Sequence, residues 1–179
     1  PYSSIVGAFD NTNVSFFVGG NMNTTIKTKD GSLYHPSNKM DVVLNKGDVW
    51  LIASDEIYSD LGGSLRISNK PVAVISGNHC AYVPSQTAAC DFLIEQETPM
   101  SAWGKKYLVS PISGRKNSSI IRIFAKEPMT NIHIDGKDFA RINSFWGEEG
   151  EGWIEIRANK SGNLPSVIFR KSSSARKSS

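Results

Sequence analysis

Short runs of β-branched and aromatic residues, each cut off by Gly, Pro, Asn or Asp, recur from one end of this chain to the other. No stretch sustains the three-to-four-residue apolar spacing of an amphipathic helix. A chain patterned this way buries its apolar side chains through strands, because alternate residues on a strand point to opposite faces. Strands are expected around Ile5 to Phe9, at Val14-Ser-Phe-Phe-Val18, and, shorter and more polar, near an edge, at Thr24 to Thr28. Lys29-Asp-Gly31 is a hairpin signal. Asp41-Val-Val-Leu44 and Val49 to Ala53 flank the compact turn Asn45-Lys-Gly-Asp48, and residues 54–63 form a polar connection. In Ser64-Leu-Arg-Ile-Ser68 the alternation places Leu65 and Ile67 toward the core and Arg66 outward. Pro71 opens a buried strand, Val72-Ala-Val-Ile75, where no ladder hydrogen bond is lost, and Gly77 is expected to stop it.

Asp91-Phe-Leu-Ile-Glu-Gln-Glu97 is too short for periodicity to decide between a helical turn and a strand. Pro99 ends it, and Trp103 to Val109 enters another strand before a Gly/Arg-containing loop at 111–117. Ser119 to Ala125 carries apolar residues on both faces, which predicts a central strand. Met129 to Ile134, closed by Asp135-Gly136, has a pairing partner in Phe139 to Ile142. A flexible acidic loop at 147–152 precedes Trp153 to Arg157, and Ser166 to Arg170 is the last strand. The predicted fold class is all-β: an antiparallel β-sandwich-like arrangement or a compact barrel, with two apolar faces burying each other. It is not an immunoglobulin sandwich, because the two cysteines lie too close in sequence to join that fold's paired strands.

A weak internal echo runs through the chain. Thr24-Thr-Ile-Lys followed by Leu65 to Val74 matches Asn131-Ile-His-Ile followed by Ile154 to Lys160 and Pro165 to Phe169, as if two strand meanders repeated. The 179 residues suffice for one substantial core or two small packed units. The expected organisation is a single β-rich domain over 1–170 with a basic, Ser-rich tail or linker at 171–179. Lys171, Arg176 and Lys177 in that tail equal the entire formal net charge of +3. The body is therefore near neutral, and the scattered Lys105-Lys106, Arg115-Lys116 and Arg122 do not predict a nucleic-acid surface. No apolar run is long enough to span a bilayer, so no membrane insertion is expected. The chain opens Pro-Tyr-Ser-Ser rather than on a signal peptide, as expected of a processed chain or an excised domain.

Cys80 and Cys90 are the only cysteines, and by residue type alone they suit either one disulfide or two thiols. Asn-x-Ser/Thr triplets begin at Asn13, Asn23, Asn117 and Asn159, each a glycan acceptor in a secretory setting. Around the cysteines a specific order stands out: Ser68-Asn-Lys-Pro-Val-Ala-Val-Ile-Ser-Gly77, then His79-Cys-Ala-Tyr-Val-Pro84, Cys90-Asp91, Glu95-Gln96 and Trp103-Gly-Lys105. This order resembles the N-terminal domain family of the IgG Fc-binding protein, most strongly from about residue 60 to 135. The resemblance implies an extracellular, β-rich adhesion or binding module, strengthens the pairing of Cys80 with Cys90, and implies no catalytic chemistry.

The chemistry-bearing residues agree with that expectation. A zinc site needs three or four converging ligands. The three histidines, His35, His79 and His133, show no such spacing, and a disulfide would use up the sulfurs beside His79. The oxygens of Asp55-Glu-Ile-Tyr-Ser-Asp60 lack the ordered ligand pattern of a calcium loop. Asp60, Asp91, Glu95 and Glu97 would have to meet in a cleft to work as a hydrolase, and no serine elbow or phosphate-binding loop is present. No catalytic residue, metal or cofactor is therefore assigned. Tyr82, Trp103 and Tyr107, joined by Asp91 and Glu95, are the candidate ligand contacts, since aromatic side chains bring contact area at low entropic cost. For Trp103 the favoured reading is a core plug beside the cysteines, and Trp50 and Trp153 are expected on sheet faces or rims. Asp91 or Glu95 is also expected to accept backbone N–H groups of the cysteine loop. The leading expectation is a noncatalytic adhesion domain that binds a glycan or an extracellular protein through its loops. The alternative is a structural spacer or assembly module within a multidomain or oligomeric surface protein.

Overall fold

The computed structural model describes residues 1–54, 56, 58–83, 87–109, 119–144, 146–147, 150–158 and 166–171. The tail at 172–179, the whole loop at 111–117 with Arg115 and Lys116, and the sequons' Asn117 and Asn159 lie outside the described residues. The chain is all-β. Its strands are β1 (Tyr2–Gly7), β2 (Thr12–Phe17), β3 (Ile26–Lys27), β4 (Leu33–Tyr34), β5 (Lys39–Leu44), β6 (Val49–Ala53), β7 (Leu65–Ser68), β8 (Val72–Ala81), β9 (Asp91–Gln96), β10 (Lys106–Leu108), β11 (Ser119–Phe124), β12 (Thr130–Ile134), β13 (Lys137–Ile142), β14 (Trp153–Ala158) and β15 (Ser166–Lys171). One turn of 3-10 helix, Met100–Ala102, is the only helix among the described residues.

Two sheets make the N-terminal half. A four-stranded sheet in the order β6-β1-β8-β9 packs against a three-stranded sheet in the order β5-β2-β7. The alternation in the sequence explains the layering. β1 buries Ser3, Ile5 and Gly7, and β2 buries Thr12, Val14 and Phe16, every second residue in each. Ile5 and Ile52 from one sheet meet Val14, Phe16, Met40 and Leu44 from the other. Trp50 and Phe16 meet in a T-shaped arrangement across the gap, with ring centres 6.2 Å apart. Each such apolar side chain contributes about 1.5–3 kcal/mol when fully buried. The hairpin signal at Lys29-Asp-Gly31 joins β3 to β4, with Gly31 at φ 88°.

The C-terminal half repeats the layering with a sheet in the order β10-β15-β12-β13 and the strand pair β11-β14. Ile123, Ala125, Ile132 and Ile142 form its core, with Ile121, Ile134, Ile154 and Ile156 packed against them. The predicted pairing of 129–134 with 139–142 is present as β12 and β13, turned by Asp135 and Gly136 at φ 50° and 78°.

Three expectations are overturned. Arg66 points inward, not outward: it pairs with Phe16, its guanidinium lies 5.1 Å from that ring centre, and Nη2 donates to Ser3 Oγ at 2.8 Å. Ile67 is the exposed residue, at 53%. Polar groups on facing strands let the sandwich accept a cation where alternation alone predicts an aliphatic residue. Burial pushes the Arg66 pKa down, and the charge of Glu97 opposes that shift. Secondly, Gly77 does not stop its strand, and β8 runs on to Ala81. The missing side chain leaves room for the Tyr2 ring and the Leu93 carbonyl, both of which a Cβ would strike. Thirdly, β11 is not central: among the described residues it pairs only with β14. Its second apolar face is covered by tertiary packing instead.

That packing joins the halves. Trp153 is 1% exposed and stacks on Phe124 with ring centres 5.8 Å apart. The Arg122 guanidinium lies 4.6 Å from the Trp153 ring centre, pairs with Asp60 at 2.7 Å, and reaches Glu155 at 3.1 Å. Gly62 and Gly63 close over the indole, and a Cβ on Gly63 would stand 2.7 Å from Trp153 Cδ1. Gly63 also sits at φ 73° and accepts a hydrogen bond from Gly147 N–H at 3.0 Å. Replacing Gly63 by Ala therefore combines a left-handed backbone with overpacking, and should lower stability by about 2–4 kcal/mol in urea unfolding. A Gly63→Ala midpoint equal to wild type would show that this closure contributes nothing.

Candidate functional site

Cys80, at the end of β8, is bonded to Cys90, the residue before β9, with a Cα–Cα distance of 4.9 Å. The disulfide ties the two strands where their register slips, between the pairs Asn78–Leu93 and Ala81–Asp91. Asn78 Oδ1 accepts the Cys80 N–H at 3.1 Å, so an asparagine does the work expected of Asp91 or Glu95. The undecided segment 91–97 is a strand, and it lies at a sheet margin. All six residues of β9 are exposed. Its side chains therefore add little apolar burial, and the ladder to β8 and the disulfide hold it in place. A loop of this length gains about 3 kcal/mol from the cross-link by chain entropy.

The candidate contacts divide into two groups. Tyr82 is 48% exposed and directly follows β8, beside Asp91 at the start of β9. Glu95 lies further along β9, opposite Ser76, on the face that Ser3 shares. Trp103 and Tyr107 belong to the next turn of chain. The indole N–H of Trp103 donates to the Thr98 carbonyl at 3.0 Å, and Tyr107 Oη accepts the Gly104 N–H at 2.8 Å. Trp103 is half-buried and belongs to neither core cluster, so it is not a core plug. Trp153 lies on a sheet face, as expected, but is buried there at 1% exposure rather than standing at a rim.

Sequence reasoning missed the apolar surface of the hairpin. Phe92, Leu93 and Ile94 are 55%, 47% and 57% exposed, and Val83 is 48% exposed beside Tyr82. Successive strand residues point to opposite faces, so β9 offers apolar side chains on both. On the outer face His79 lies between two rings, 5.1 Å from Tyr2 and 6.3 Å from Phe92. The run Phe-Leu-Ile was the available signal, but a segment too short to decide between helix and strand does not show which of its side chains meet solvent.

The titratable residues are committed elsewhere or lie apart. Asp60 is held by Arg122 and accepts the Gly62 N–H at 2.7 Å, while Asp91 and Glu95 line exposed β9. His133 pairs with Asp138 at 2.6 Å, and His35 lies by Thr25. Among the described residues no group of His, Cys, Asp and Glu could hold a metal ion, and Asp55 lies outside them. Arg122, a member of the scattered basic set, is neutralised by its two acidic partners. Asn13 is exposed on β2 and Asn23 is exposed in a turn, so both sequons there are accessible. No described helix is long and apolar enough to cross a membrane.

A β-sandwich that holds out a cross-linked hairpin has the build of a binding module. The comparisons with known proteins agree. The family model described as IgGFc binding protein matches residues 1–172, and the chain belongs to that family. Membership of that family supports a general role in adhesion or recognition. The chain is 30% identical over 112 residues to the human IgGFc-binding protein, a match that takes in 61% of this chain and 2% of the human protein's length. No solved structure matches it.

In freshly oxidised, folded protein, neither Cys80 nor Cys90 should react with a thiol reagent until a reductant is added, as read by intact mass. The paired Cys80→Ser, Cys90→Ser protein should lose up to about 3 kcal/mol of stability. Its amide exchange should rise first in β9. Exchange that rises evenly over all strands would show that the cross-link is not specific to this hairpin.

Proposed function

We propose that the chain is a secreted or cell-surface recognition module whose contact element is the β8–β9 hairpin, and that its partner is a protein. The observation that carries this reading is the exposure of apolar side chains on both faces of β9, a margin strand with an unpaired outer edge among the described residues. Such a strand can take up an extended segment of another protein as an added strand, with backbone hydrogen bonds for affinity and flanking side chains for selectivity. Asp91 and Glu95 lie on that strand and Tyr82 follows its partner β8, with Tyr82 the aromatic anchor. Trp103 and Tyr107 are secondary contacts, because their polar tips are engaged locally. A glycan site calls for an aromatic platform flanked by amides or carboxylates, and Tyr82 beside Asp91 is the nearest approach to one. The alternative role as a spacer or assembly module draws on a different surface, the outer face of β1 and β6.

The human relative's name makes the immunoglobulin Fc fragment the first protein to test, beside a panel of extracellular proteins and a glycan array. A protein ligand is expected. Ile94→Lys and Tyr82→Ala should each weaken it at least about tenfold, or 1.4 kcal/mol, without shifting the unfolding midpoint. Binding confined to glycans, or a protein ligand held equally by wild type and both variants, overturns the assignment.

A further inference from the structure

The register of the β8–β9 ladder sorts the residues of β9 onto two faces of different chemistry. Ser76 lies between Ser3 on β1 and Glu95 on β9, and Ser3 is buried between the two sheets of the N-terminal half. Glu95 is therefore on the side of the β5-β2-β7 sheet, and alternation places Asp91 and Leu93 there with it. The ladder runs one residue past β9, since Glu97 N–H donates to the Val74 carbonyl at 2.9 Å, and Glu97 joins the same face. Phe92, Ile94 and Gln96 take the opposite face, where Phe92 meets His79. One face of the strand thus carries three carboxylates around a leucine. The other carries an aromatic ring, an aliphatic side chain and an amide.

The acids outnumber the cations around them. Between Lys70 and Lys105 the sequence has no lysine or arginine, and Asp91, Glu95 and Glu97 are the only acids there. The hairpin is a negative element in a chain of net charge +3. Among the described residues none of the three carboxylates forms an ion pair with a lysine or arginine. Arg66 approaches from the facing sheet, reaching Ser76 Oγ at 3.5 Å, and Glu97 supports its charge against burial. Its hydrogen bonds go to Ser3 and the Ser64 carbonyl, so Asp91 and Glu95 are left to solvent. A second copy of β9 is a poor occupant of the edge, because antiparallel pairing of like strands would set acid against acid.

We propose that the strand β9 accepts is a basic one: an extended segment of another protein in which lysine or arginine alternates with apolar residues. The inference rests on the reading of β9 as the contact edge and names what that edge selects. The cationic side chains stand beside Asp91, Glu95 and Glu97, and their aliphatic stems lie along Leu93. The apolar side chains stand beside Phe92 and Ile94. Opposite charges across a strand pair favour pairing and like charges oppose it, so the edge takes a basic segment and rejects an acidic one.

The probes are synthetic peptides of six residues, the length of β9, in which valine alternates with lysine or with glutamate. Fluorescence anisotropy at low salt should show the folded chain binding the lysine peptide at least about tenfold tighter than the glutamate peptide. The net charge of +3 acts the other way, so a basic preference is local to the edge. Glu95→Gln should weaken the lysine peptide about threefold. Glu95→Lys with Glu97→Lys should reverse the order of the two peptides. Salt at about 1 M, where screening acts within about 3 Å, should bring the two wild-type affinities together. N-methylation at alternate residues of the lysine peptide should abolish binding in one phase and spare it in the other, because an added strand turns every second N–H to the ladder. Equal affinities for the two peptides, with that methylation pattern intact, overturn the basic preference and leave β9 as the contact edge. A wild-type order retained by the double lysine variant overturns the assignment to these carboxylates. No binding of either peptide, or binding indifferent to both methylation phases, overturns edge addition and the inference with it.

Discussion

One indole seated beneath two glycines makes the halves a single molecule. Each half owns a small core, and small cores bury too little apolar surface to be stable with much margin. Full burial of a Trp side chain removes about 150–250 Å² from water, worth about 4–6 kcal/mol at the usual coefficient. The Arg122–Asp60 ion pair adds direction more than energy. Its arginine side chain is 40% exposed, and pairs open to solvent contribute up to about 1 kcal/mol. The indole therefore supplies the attraction and the ion pair sets the register. The glycines set the distance, since any side chain at Gly63 would occupy the space the ring fills.

The β8–β9 hairpin follows the opposite rule. β9 is kept by backbone hydrogen bonds on one side and by a covalent bond at one end. Elements that bury few apolar contacts open at low free energy. A cross-link that restricts the unfolded hairpin offsets this without covering any of its side chains. The apolar residues of β9 thus stay available for contact, where a buried strand would have used them for packing. Family membership supplies the adhesion role, and this hairpin is where the sandwich exposes a surface that can carry it.

Much of this was legible in the chain. Runs of β-branched and aromatic residues located β2 and β5 to β7, while the first strand lies earlier than expected, at Tyr2–Gly7 rather than around Ile5 to Phe9. The order of residues around Cys80 and Cys90 pointed to the family and to the disulfide. Failures came where a residue's fate depends on a distant partner. Arg66 is inward because Ser3 and Ser76 wait on the facing sheet, and no window of local sequence holds that information. Gly77 reads as a stop until Tyr2 is known to lie across it. β11 looked central because both its faces are apolar, but a loop rather than a flanking strand covers the second one. The internal echo was sought by matching Thr24 with Asn131. The pairings align Thr12 with Thr130 instead, a correspondence carried by register and backbone conformation more than by residue identity.

The place of β9 in the four-stranded sheet constrains how a partner could reach it. From β6 to β9 are three strand spacings, about 14 Å. A standard protein interface covers about 800 Å² on each side, a patch roughly twice that wide. A partner lying flat on the outer face over Phe92 and Ile94 would therefore have to cover the whole sheet, Val49 and Leu51 included. A partner strand added in the plane of the sheet, along the outer edge of β9, would not. Edge addition is thus the mode of contact that the proposed reading favours, and the cross-link at the end of the β8–β9 ladder holds the margin strand it would use.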